Sequence, residues 1–267
     1  MSNFFTGKTA WITGASSGIG EALALALARQ GARLILSARR ETELQRVATA
    51  TGLSAEDVLI LPLDVTHEAD LPRYVAAALT RFGQIDYVFL NAGITQRSLV
   101  QDTDMAVFRQ LMDVNFFGAV ALTQAVLPTL LAQKFGHLVV TSSVSGKIGV
   151  KQRAGYCAAK HALHGFFDSL RAEVFANGLR VTLVCPGYIQ TPISQSALNG
   201  TGGAYGRSDQ NQQQAMPAER CAKLMLNAVA AGREEVTIGG KEVLGTYLKR
   251  FFPALLSRLL RNRGLEK

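Results

Sequence analysis

Short apolar runs alternate with longer amphipathic stretches along almost the whole of this 267-residue chain. The runs are rich in Val, Ile and Leu and contain few polar residues, which is typical of parallel strands that are buried on both faces. The stretches between them have the spacing of amphipathic helices. The alternation predicts an α/β fold in which helices cover both faces of a parallel sheet.

Seven strands and five helices are predicted from this pattern. The strands are Thr9–Thr13, Leu34–Ser37, Val58–Pro62, Tyr87–Leu90, His137–Thr141, Arg180–Cys185 and Val236–Ile238. The clearest helices are Glu21–Gln30, Glu68–Phe82, Asp104–Gln133, Ala154–Asn177 and Pro217–Ala230. The stretch 190–216 is polar, glycine-containing and irregular, and because it lies inside the domain we interpret it as a lid.

Composition narrows the class of protein. With 48% hydrophobic and 18% charged residues, the chain is too apolar to be disordered.

The most apolar run, 119–132, is interrupted by Thr123, Gln124 and Pro128, so we expect no membrane-spanning segment. The first residues have no basic segment followed by an apolar one, and no cleaved signal is expected. A reducing, cytoplasmic location is predicted from three cysteines without a CxxC pair, Cys157, Cys185 and Cys221.

The positive charge is concentrated near the end of the chain. Of the net charge of +8, residues 241–267 carry +5 and the other 240 residues only +3. The body therefore lacks the basic surface of a nucleic-acid-binding protein. The segment 241–267 predicts a basic amphipathic helix, which Pro253 kinks or divides in two. Its apolar doublets suit either peripheral membrane contact or packing on the chain's own pocket or a neighbouring subunit: Val243-Leu244, Tyr247-Leu248, Phe251-Phe252, Leu255-Leu256 and Leu259-Leu260.

A glycine-rich motif, Thr13–Gly20 with the sequence TGASSGIG, lies directly between the first strand and the first helix. Gly14 allows a tight turn, Gly18 allows the backbone to approach a pyrophosphate, and Gly20 allows the helix to pack closely on the strand. The N-terminus of that helix offers N–H groups to phosphate oxygens. The alternative is a glycine-rich turn that binds nothing.

The end of the second strand indicates which dinucleotide would bind. An acidic side chain there usually meets a free ribose 2′-hydroxyl, but this chain has Arg39 and Arg40 at that place. A guanidinium pairs well with a 2′-phosphate, which favours NADP(H) unless both arginines only solvate a loop. Asp64, followed by Val65 at the end of the third strand, is placed for an adenine amine or for capping the next helix.

Tyr156 and Lys160 lie four residues apart near the start of a helix, and so they project from one face. A phenol has a pKa near 10, and an adjacent ammonium favours its ionised form. Lys160 is therefore a candidate activator of Tyr156 as an acid-base group. Ser143, at the end of the preceding strand, could position and polarise a substrate oxygen.

Six elements in order give the chain a clear resemblance to the short-chain dehydrogenase/reductase family. They are TGASSGIG at 13–20, Asn91-Ala92-Gly93, Asn115, Ser143, the segment Tyr156–Lys160, and Pro186-Gly187. The resemblance extends from Lys8 to Gly240. It implies a single Rossmann-type domain over residues 1–240, with a doubly wound parallel sheet in three layers, α/β/α, and 241–267 as a separate tail.

The resemblance also implies roles for individual residues. Tyr156 would donate or accept the proton, Lys160 would contact the nicotinamide ribose, Ser143 would hold the substrate, and Asn115 would support a water-linked proton relay. Ile189 and Thr191 would close over the nicotinamide amide. Together with the motif residues above, the expected cofactor-binding set is Gly14, Ser16, Ser17, Gly18, Ile19, Gly20, Arg39, Arg40, Asp64, Val65, Asn91, Ala92, Gly93, Tyr156, Lys160, Pro186, Gly187, Ile189 and Thr191.

Within that family, the segments 146–148, 186–189 and 204–206 are similar to the dehydrogenase/reductase member 7 branch, which includes reductases of lipophilic carbonyls. We therefore expect an NADP(H)-dependent oxidoreductase that interconverts a carbonyl and a secondary alcohol on an apolar small molecule. The alternatives are a catalytically idle nucleotide-binding regulator and a membrane-surface scaffold on the same fold. Apolar helix faces at 104–133 and 154–177 predict a homodimer or homotetramer. His161 and His164 lack a third ligand in the pattern, and no metal site is predicted.

Overall fold

The computed structural model describes residues 4–206 and 215–262. Its strands are β1 (Thr9–Thr13), β2 (Arg33–Ser37), β3 (Val58–Ile60), β4 (Tyr87–Leu90), β5 (Gly136–Thr141), β6 (Leu179–Pro186), β7 (Ile189–Gln190), β8 (Met216–Pro217) and β9 (Glu235–Ile238). Within these residues, seven parallel strands form one sheet in the order β3-β2-β1-β4-β5-β6-β9, and β7 pairs separately with β8. All seven predicted strands are present in the sheet.

Helices cover both faces of this sheet. They are α1 (Gly18–Ala28), α2 (Glu41–Thr51), α3 (Leu71–Phe82), α4 (Met105–Met112), α5 (Gly118–Gln133), α6 (Ala154–Val174), α7 (Ala218–Ala230), α8 (Leu244–Phe251) and α9 (Pro253–Asn262). One core cluster joins α1, α2 and α7 to the sheet, and a second joins α3, α5 and α6 to its other face. The predicted single domain with three layers, α/β/α, is confirmed.

The strand order creates a crevice at one edge of the sheet. Ile12 at the centre of β1 pairs with Leu36 of β2 on one side and Phe89 of β4 on the other. After β3 the chain crosses over β1 to reach β4, so the loops that follow β1 and β4 run in opposite directions. Ligands of such sheets bind at this switch point, beyond the carboxyl ends of the strands.

Several element boundaries differ from the predictions for local reasons. β3 ends at Ile60 because Pro62 has no N–H for the ladder, although Leu61 N still donates to Leu36 O at 3.0 Å. Helix α2 was not predicted, since it buries only Leu44, Val47 and Ala48. The other helices start or end within a turn of the predicted residues, with 3₁₀ turns at 68–70 and 175–177.

The predicted helix Asp104–Gln133 is confirmed as one helical stretch, Met105–Gln133, but its hydrogen bonding is not α-helical throughout. A π turn, Asp113–Phe117, separates α4 from α5 and places Asn115 inside the fold with 1% of its surface exposed. The apolar pattern continues through this turn, so periodicity alone did not reveal it. Such turns occur often at functional sites.

The sequence predicts no membrane-spanning segment, but one helical stretch passes a test for a span that uses length and composition only. The helical stretch Met105–Gln133 has a mean hydropathy of 1.6 in its most apolar window and passes that test. However, Leu122, Val126 and Leu130 of this stretch are fully buried against the sheet. Core helices of soluble folds pass the same test, so the stretch is weak support for a span.

Candidate active site

A cleft of about 590 Å³ opens at the carboxyl ends of β1, β2, β4, β5 and β6. Every residue predicted for catalysis or cofactor binding lines this cleft except Gly20. Gly20 lies behind the glycine loop, where an added Cβ would overlap the Gly14 carbonyl oxygen. The topology therefore brings together segments that are far apart in the sequence.

The glycine loop has the geometry that a bound phosphate needs. Gly14 and Gly18 have positive φ values of +67° and +58°, which other residues rarely adopt. Ser17 precedes α1 in an extended conformation, and its side chain makes no capping hydrogen bond. The first-turn N–H groups of α1 are thus without a side-chain acceptor and lie at the cleft. These residues fit the pyrophosphate of a dinucleotide.

Thr13 connects this loop to the end of β4. Its Oγ1 accepts hydrogen bonds from the backbone N–H groups of Asn91 and Ala92, at 3.0 and 3.1 Å. Asn91 Nδ2 in turn donates to Thr13 O at 3.2 Å. This role of Thr13 was not predicted, and its position at the start of the glycine-rich motif was the available signal.

The two arginines after β2 differ in their surroundings. Arg40 Nη2 donates to Ser16 Oγ at 3.4 Å and so is engaged within the loop. Arg39 is exposed and makes no hydrogen bond or ion pair with the described residues. Arg46, which sequence reasoning missed, donates to Ser16 O at 3.4 Å and pairs with Glu21 at 2.7 Å. Arg39 is therefore the arginine available to a ligand.

Asp64 does not cap the next helix, because the N-cap of the 3₁₀ turn 68–70 is His67. Its Oδ1 accepts from the N–H and the hydroxyl of Thr66, at 3.0 and 2.7 Å, and the contact with an adenine amine stays a prediction. It also lines the cleft. Burial opposes ionisation of this carboxyl, but the Thr66 bonds and the charge of Arg39 outweigh burial and lower its pKa.

Ser143, Tyr156 and Lys160 meet at the inner end of the cleft. Ser143 Oγ donates to Pro186 O at 3.3 Å and accepts from Ser145 N at 3.0 Å. Ser143 also lowers the pKa of Tyr156. Lys160 Nζ donates to Thr141 O at 2.7 Å and lies 5.8 Å from the centre of the Tyr156 ring. All three side chains are buried.

Burial determines the protonation of this group. It raises the pKa of Tyr156 to about 12, and the hydrogen bond with Ser143 acts in the opposite direction. Burial also lowers the pKa of Lys160 to about 8, so the ammonium form still predominates at pH 7. The expected lowering of the Tyr156 pKa by Lys160 is not met in this structure, because burial dominates and the groups that oppose it are Ser143 and the charge of Arg97. Tyr156 is a protonated phenol at neutral pH.

Asn115 holds the π turn against the loop that follows β4. Its Nδ2 donates to Ile94 O at 3.0 Å and to Leu111 O at 2.8 Å, while its Oδ1 accepts from Ile94 N at 3.1 Å. An added Cβ at Gly93 would lie 2.7 Å from Asn115 Oδ1 and 3.5 Å from Lys160 Nζ. Asn115 therefore fixes the wall next to Lys160.

A cluster that sequence spacing did not indicate lies behind Lys160. His164, Cys185 and Glu235 place their possible ligand atoms within 4.8 Å of one another. His164 Nε2 is 3.0 Å from Ser142 Oγ and 3.6 Å from Cys185 Sγ, and Lys147 forms a salt bridge with Glu235 at 2.6 Å. These contacts already use the groups in a hydrogen-bonded network. His161 is not part of it, since its Nδ1 contacts Cys157 O at 2.7 Å.

Glu242 links the C-terminal segment to the cleft and was also missed. Its Oε1 accepts from Tyr188 N and Gly240 N, both at 3.0 Å. An added Cβ at Gly187 would overlap this carboxylate, so the glycine is needed for the contact. The available signal was a lone acidic residue at the start of a basic segment.

Of the predicted lid, 190–216, residues 207–214 lie outside the described residues, as do 263–267 of the tail.

The fold and this arrangement of Ser143, Tyr156 and Lys160 define a nicotinamide-dependent class of oxidoreductase, and comparison with known proteins agrees. The profile of the short chain dehydrogenase family matches residues 8–201. The chain belongs to the short-chain dehydrogenase/reductase family. Members of this family are oxidoreductases that use NAD or NADP.

Similar proteins indicate which branch of the family this chain resembles. Dehydrogenase/reductase SDR family member 7 of Homo sapiens is 41% identical over 254 residues, which are 93% of this chain and 75% of that protein. The SDR family protein 7-like of Drosophila melanogaster is 38% identical, over 99% of this chain and 82% of that protein. Levodione reductase, a solved structure, is 28% identical with a TM-score of 0.79, covering 90% of this chain and 99% of that chain.

Proposed function

We propose that this protein is an NADP(H)-dependent oxidoreductase that interconverts a carbonyl and a secondary alcohol on an apolar small molecule. The observation that carries the proposal is the buried group Ser143, Tyr156 and Lys160, which lies at the inner end of a cleft with a phosphate-binding loop at its other end. An idle nucleotide-binding regulator would have no need for a buried lysine beside a buried phenol, because burying both is costly.

Tyr156 is suited to donate a proton to a substrate oxygen. It is protonated at pH 7, and it lines the cleft together with Ser143. As the phenolic proton leaves for the carbonyl oxygen, the positive charge of Lys160 stabilises the phenolate that remains. Ser143 binds the carbonyl oxygen of the substrate and orients that oxygen toward Tyr156. In the reverse direction, these groups accept the proton of the alcohol.

NADP(H), when bound, supplies or accepts the hydride. The glycine loop, α1 and the residues after β4 fit its pyrophosphate and ribose, and Asp64 lies where an adenine would be reached. Arg39 supports NADP(H) over NAD(H), because its guanidinium is exposed at the end of β2 and makes no hydrogen bond or salt bridge with the described residues, although its charge acts on Asp64.

An apolar substrate fits the wall around Tyr156. Of the apolar residues that pack with Tyr156, Ile94 and Leu198 also line the cleft. Levodione reductase is by its name a reductase, which agrees with the direction that a protonated Tyr156 favours.

Tyr156→Phe tests the reaction. Oxidation of NADPH with a panel of ketones and aldehydes should fall by at least about a hundredfold, the contribution of a general acid, while the Kd for NADPH stays the same. The Ser143 hydroxyl keeps its bonds to Pro186 and Ser145, so the fold should be retained. Unchanged turnover would remove Tyr156 from the mechanism. Binding of NADPH without turnover of any substrate by the wild-type protein would favour the idle regulator.

The cofactor preference has its own test. Arg39→Ala should weaken NADPH binding by roughly 1.5 to 3 kcal/mol, the range for charged hydrogen bonds, and leave NADH binding almost unchanged. Arg40→Ala is the matched control, because Arg40 already bonds to Ser16 and should affect both cofactors to the same extent. Equal losses for both cofactors in Arg39→Ala would contradict the assignment.

The proposal includes a homodimer or homotetramer in the cytoplasm. Phe117, in the π turn before α5, is 46% exposed and contacts Phe116, whose ring packs on Phe166 of α6, which supports pairing of subunits through these helices. The three cysteines of the described structure are free and buried, as suits a reducing compartment. Light scattering of the purified protein measures the assembly directly, and a monomer would contradict this part of the proposal.

A further inference from the structure

The apolar doublets of α8 and α9 face in two directions. One member of most doublets packs inward with Val144 and Ile148, and this inner row is Val243, Leu248, Leu256 and Leu260. The other members stay between 48% and 68% exposed, and we call them the outer row: Leu244, Tyr247, Phe251, Phe252, Leu255 and Leu259. Docking on the chain's own surface, one of the two sequence-based alternatives for this segment, accounts for the inner row only.

The inner row fixes the two helices beside the active site. Val144 and Ile148 belong to the segment that directly follows Ser143. Lys151 Nζ donates to Arg261 O at 3.0 Å at the far end of α9, and Glu242 accepts from Tyr188 at the near end. The outer row is therefore a surface with a fixed position relative to the cleft.

The outer row is unusual among the exposed apolar side chains of the described residues. The remaining large ones, such as Phe4, Val100 and Phe175, are scattered over the chain, as is normal for single surface residues. The six members of the outer row lie instead within residues 244–259, on two helices that contact each other. Such a patch marks an interaction surface.

The charges around the outer row indicate what covers it. Five exposed basic residues occur in 241–261, namely Lys241, Lys249, Arg250, Arg258 and Arg261. The acidic residue of that stretch, Glu242, is turned toward Gly187. Among the described residues, none of these five cations forms a salt bridge.

This charge distribution disfavours a second copy of the chain as the occupant. A two-fold contact would place the same patch of each copy against the other, and so would bring the cations together without a nearby acid. An anionic lipid surface neutralises them while its acyl region takes up the aromatic and aliphatic side chains.

We propose that the outer row of α8 and α9 is a docking surface for an anionic bilayer, in which the two helices lie in the plane of the interface. Phe251 and Phe252 enter the boundary between headgroups and acyl chains, and Lys249, Arg250 and Arg258 contact the headgroups. The inference is independent of the reaction assigned above, since it uses no residue that touches cofactor or substrate.

Co-sedimentation of the full-length protein with vesicles tests it. Binding should be strong to phosphatidylcholine vesicles that contain phosphatidylserine and weak to phosphatidylcholine alone, because each basic residue near an anionic surface contributes roughly fivefold. Phe251→Ser combined with Phe252→Ser should reduce the binding at least about tenfold. The matched control is Phe175→Ser, which removes a residue that is 75% exposed outside the tail and should change nothing.

Each result decides the question. Turnover of a water-soluble substrate by the double variant should equal that of the wild type, which separates this proposal from the proposed reaction. A wild-type protein that ignores both kinds of vesicle, or that binds them without regard to phosphatidylserine, overturns the proposal. A double variant that lowers the mass of the oligomer in light scattering identifies a second copy as the occupant and overturns it as well.

Discussion

Two adjacent leucines of α9 offer a direct test of how the C-terminal helices are held. Leu256 is 6% exposed and belongs to the inner row, whereas Leu255 is 48% exposed and belongs to the outer row. Truncation of a buried leucine to alanine costs 2 to 5 kcal/mol. The cluster around Leu256 contains only Val144 and Ile148 as further buried members and lies near the surface, so it can partly collapse. We therefore expect about 2 kcal/mol for Leu256→Ala.

This loss should appear as local opening of the two helices rather than as global unfolding. A cost of about 2 kcal/mol corresponds to roughly a thirtyfold larger open fraction. Hydrogen exchange of peptides from 244–262 should accelerate by that factor, while peptides from β1 and β5 keep their protection. Since Val144 follows Ser143 closely, the KM of the carbonyl substrate should rise in the same variant.

Leu255→Ala is the matched control, with the same change of side chain one residue away. Surface substitutions alter stability by less than about 0.5 kcal/mol, so exchange should change by no more than about twofold. Equal acceleration in both variants would refute the division into an inner and an outer row. Loss of protection across the sheet in Leu256→Ala would refute the view that these helices open independently.

Three further results are expected. Gly20→Ala should abolish NADPH binding in a fluorescence titration, because the new methyl group would overlap the Gly14 carbonyl oxygen, and an unchanged Kd would contradict this. The rate of carbonyl reduction should fall as pH rises through about 8, where Lys160 loses its charge, and a profile that is flat up to the usual lysine range would contradict it. Burial lowers the pKa of His137 to about 4, so the unfolded chain takes up this proton near pH 6.5 and the folded chain only near pH 4. Stability should therefore fall by up to about 3 kcal/mol as pH decreases between those values, and His137→Asn should remove that part of the dependence in urea unfolding.

The strands could be predicted because most of them are buried on both faces. β1, β4 and β5 consist wholly of buried residues, so an apolar run marks each one. Helix α2 was not predicted, because three buried residues among polar neighbours make a weak amphipathic pattern. The π turn at Asp113–Phe117 was not predicted either, because it changes the hydrogen bonding of the helix and leaves the apolar composition unchanged.

The site residues that could be predicted stand directly after strands or inside a local motif. Ser143 and Gly187 are of this kind, since the end of a parallel strand leads into the cleft. The residues that were missed act through tertiary contacts with distant partners. Arg46 reaches Ser16 across thirty residues, and Glu242 reaches Tyr188 across fifty-four. The spacing of these residues in the sequence does not indicate that they are in contact.

The π turn at Asp113–Phe117 has a consequence for how this chain can change over generations. It contains one residue more than a regular helical turn, so losing any one of its five codons would convert α4 and α5 into a continuous α-helix. The widened turn takes up its extra residue locally, so Leu122, Val126 and Leu130 would keep their places in the core after such a deletion. The change would fall on Asn115, whose Nδ2 bonds to Ile94 O and Leu111 O from the widened turn. A change of length here would therefore alter the cleft and leave the packing of the core intact.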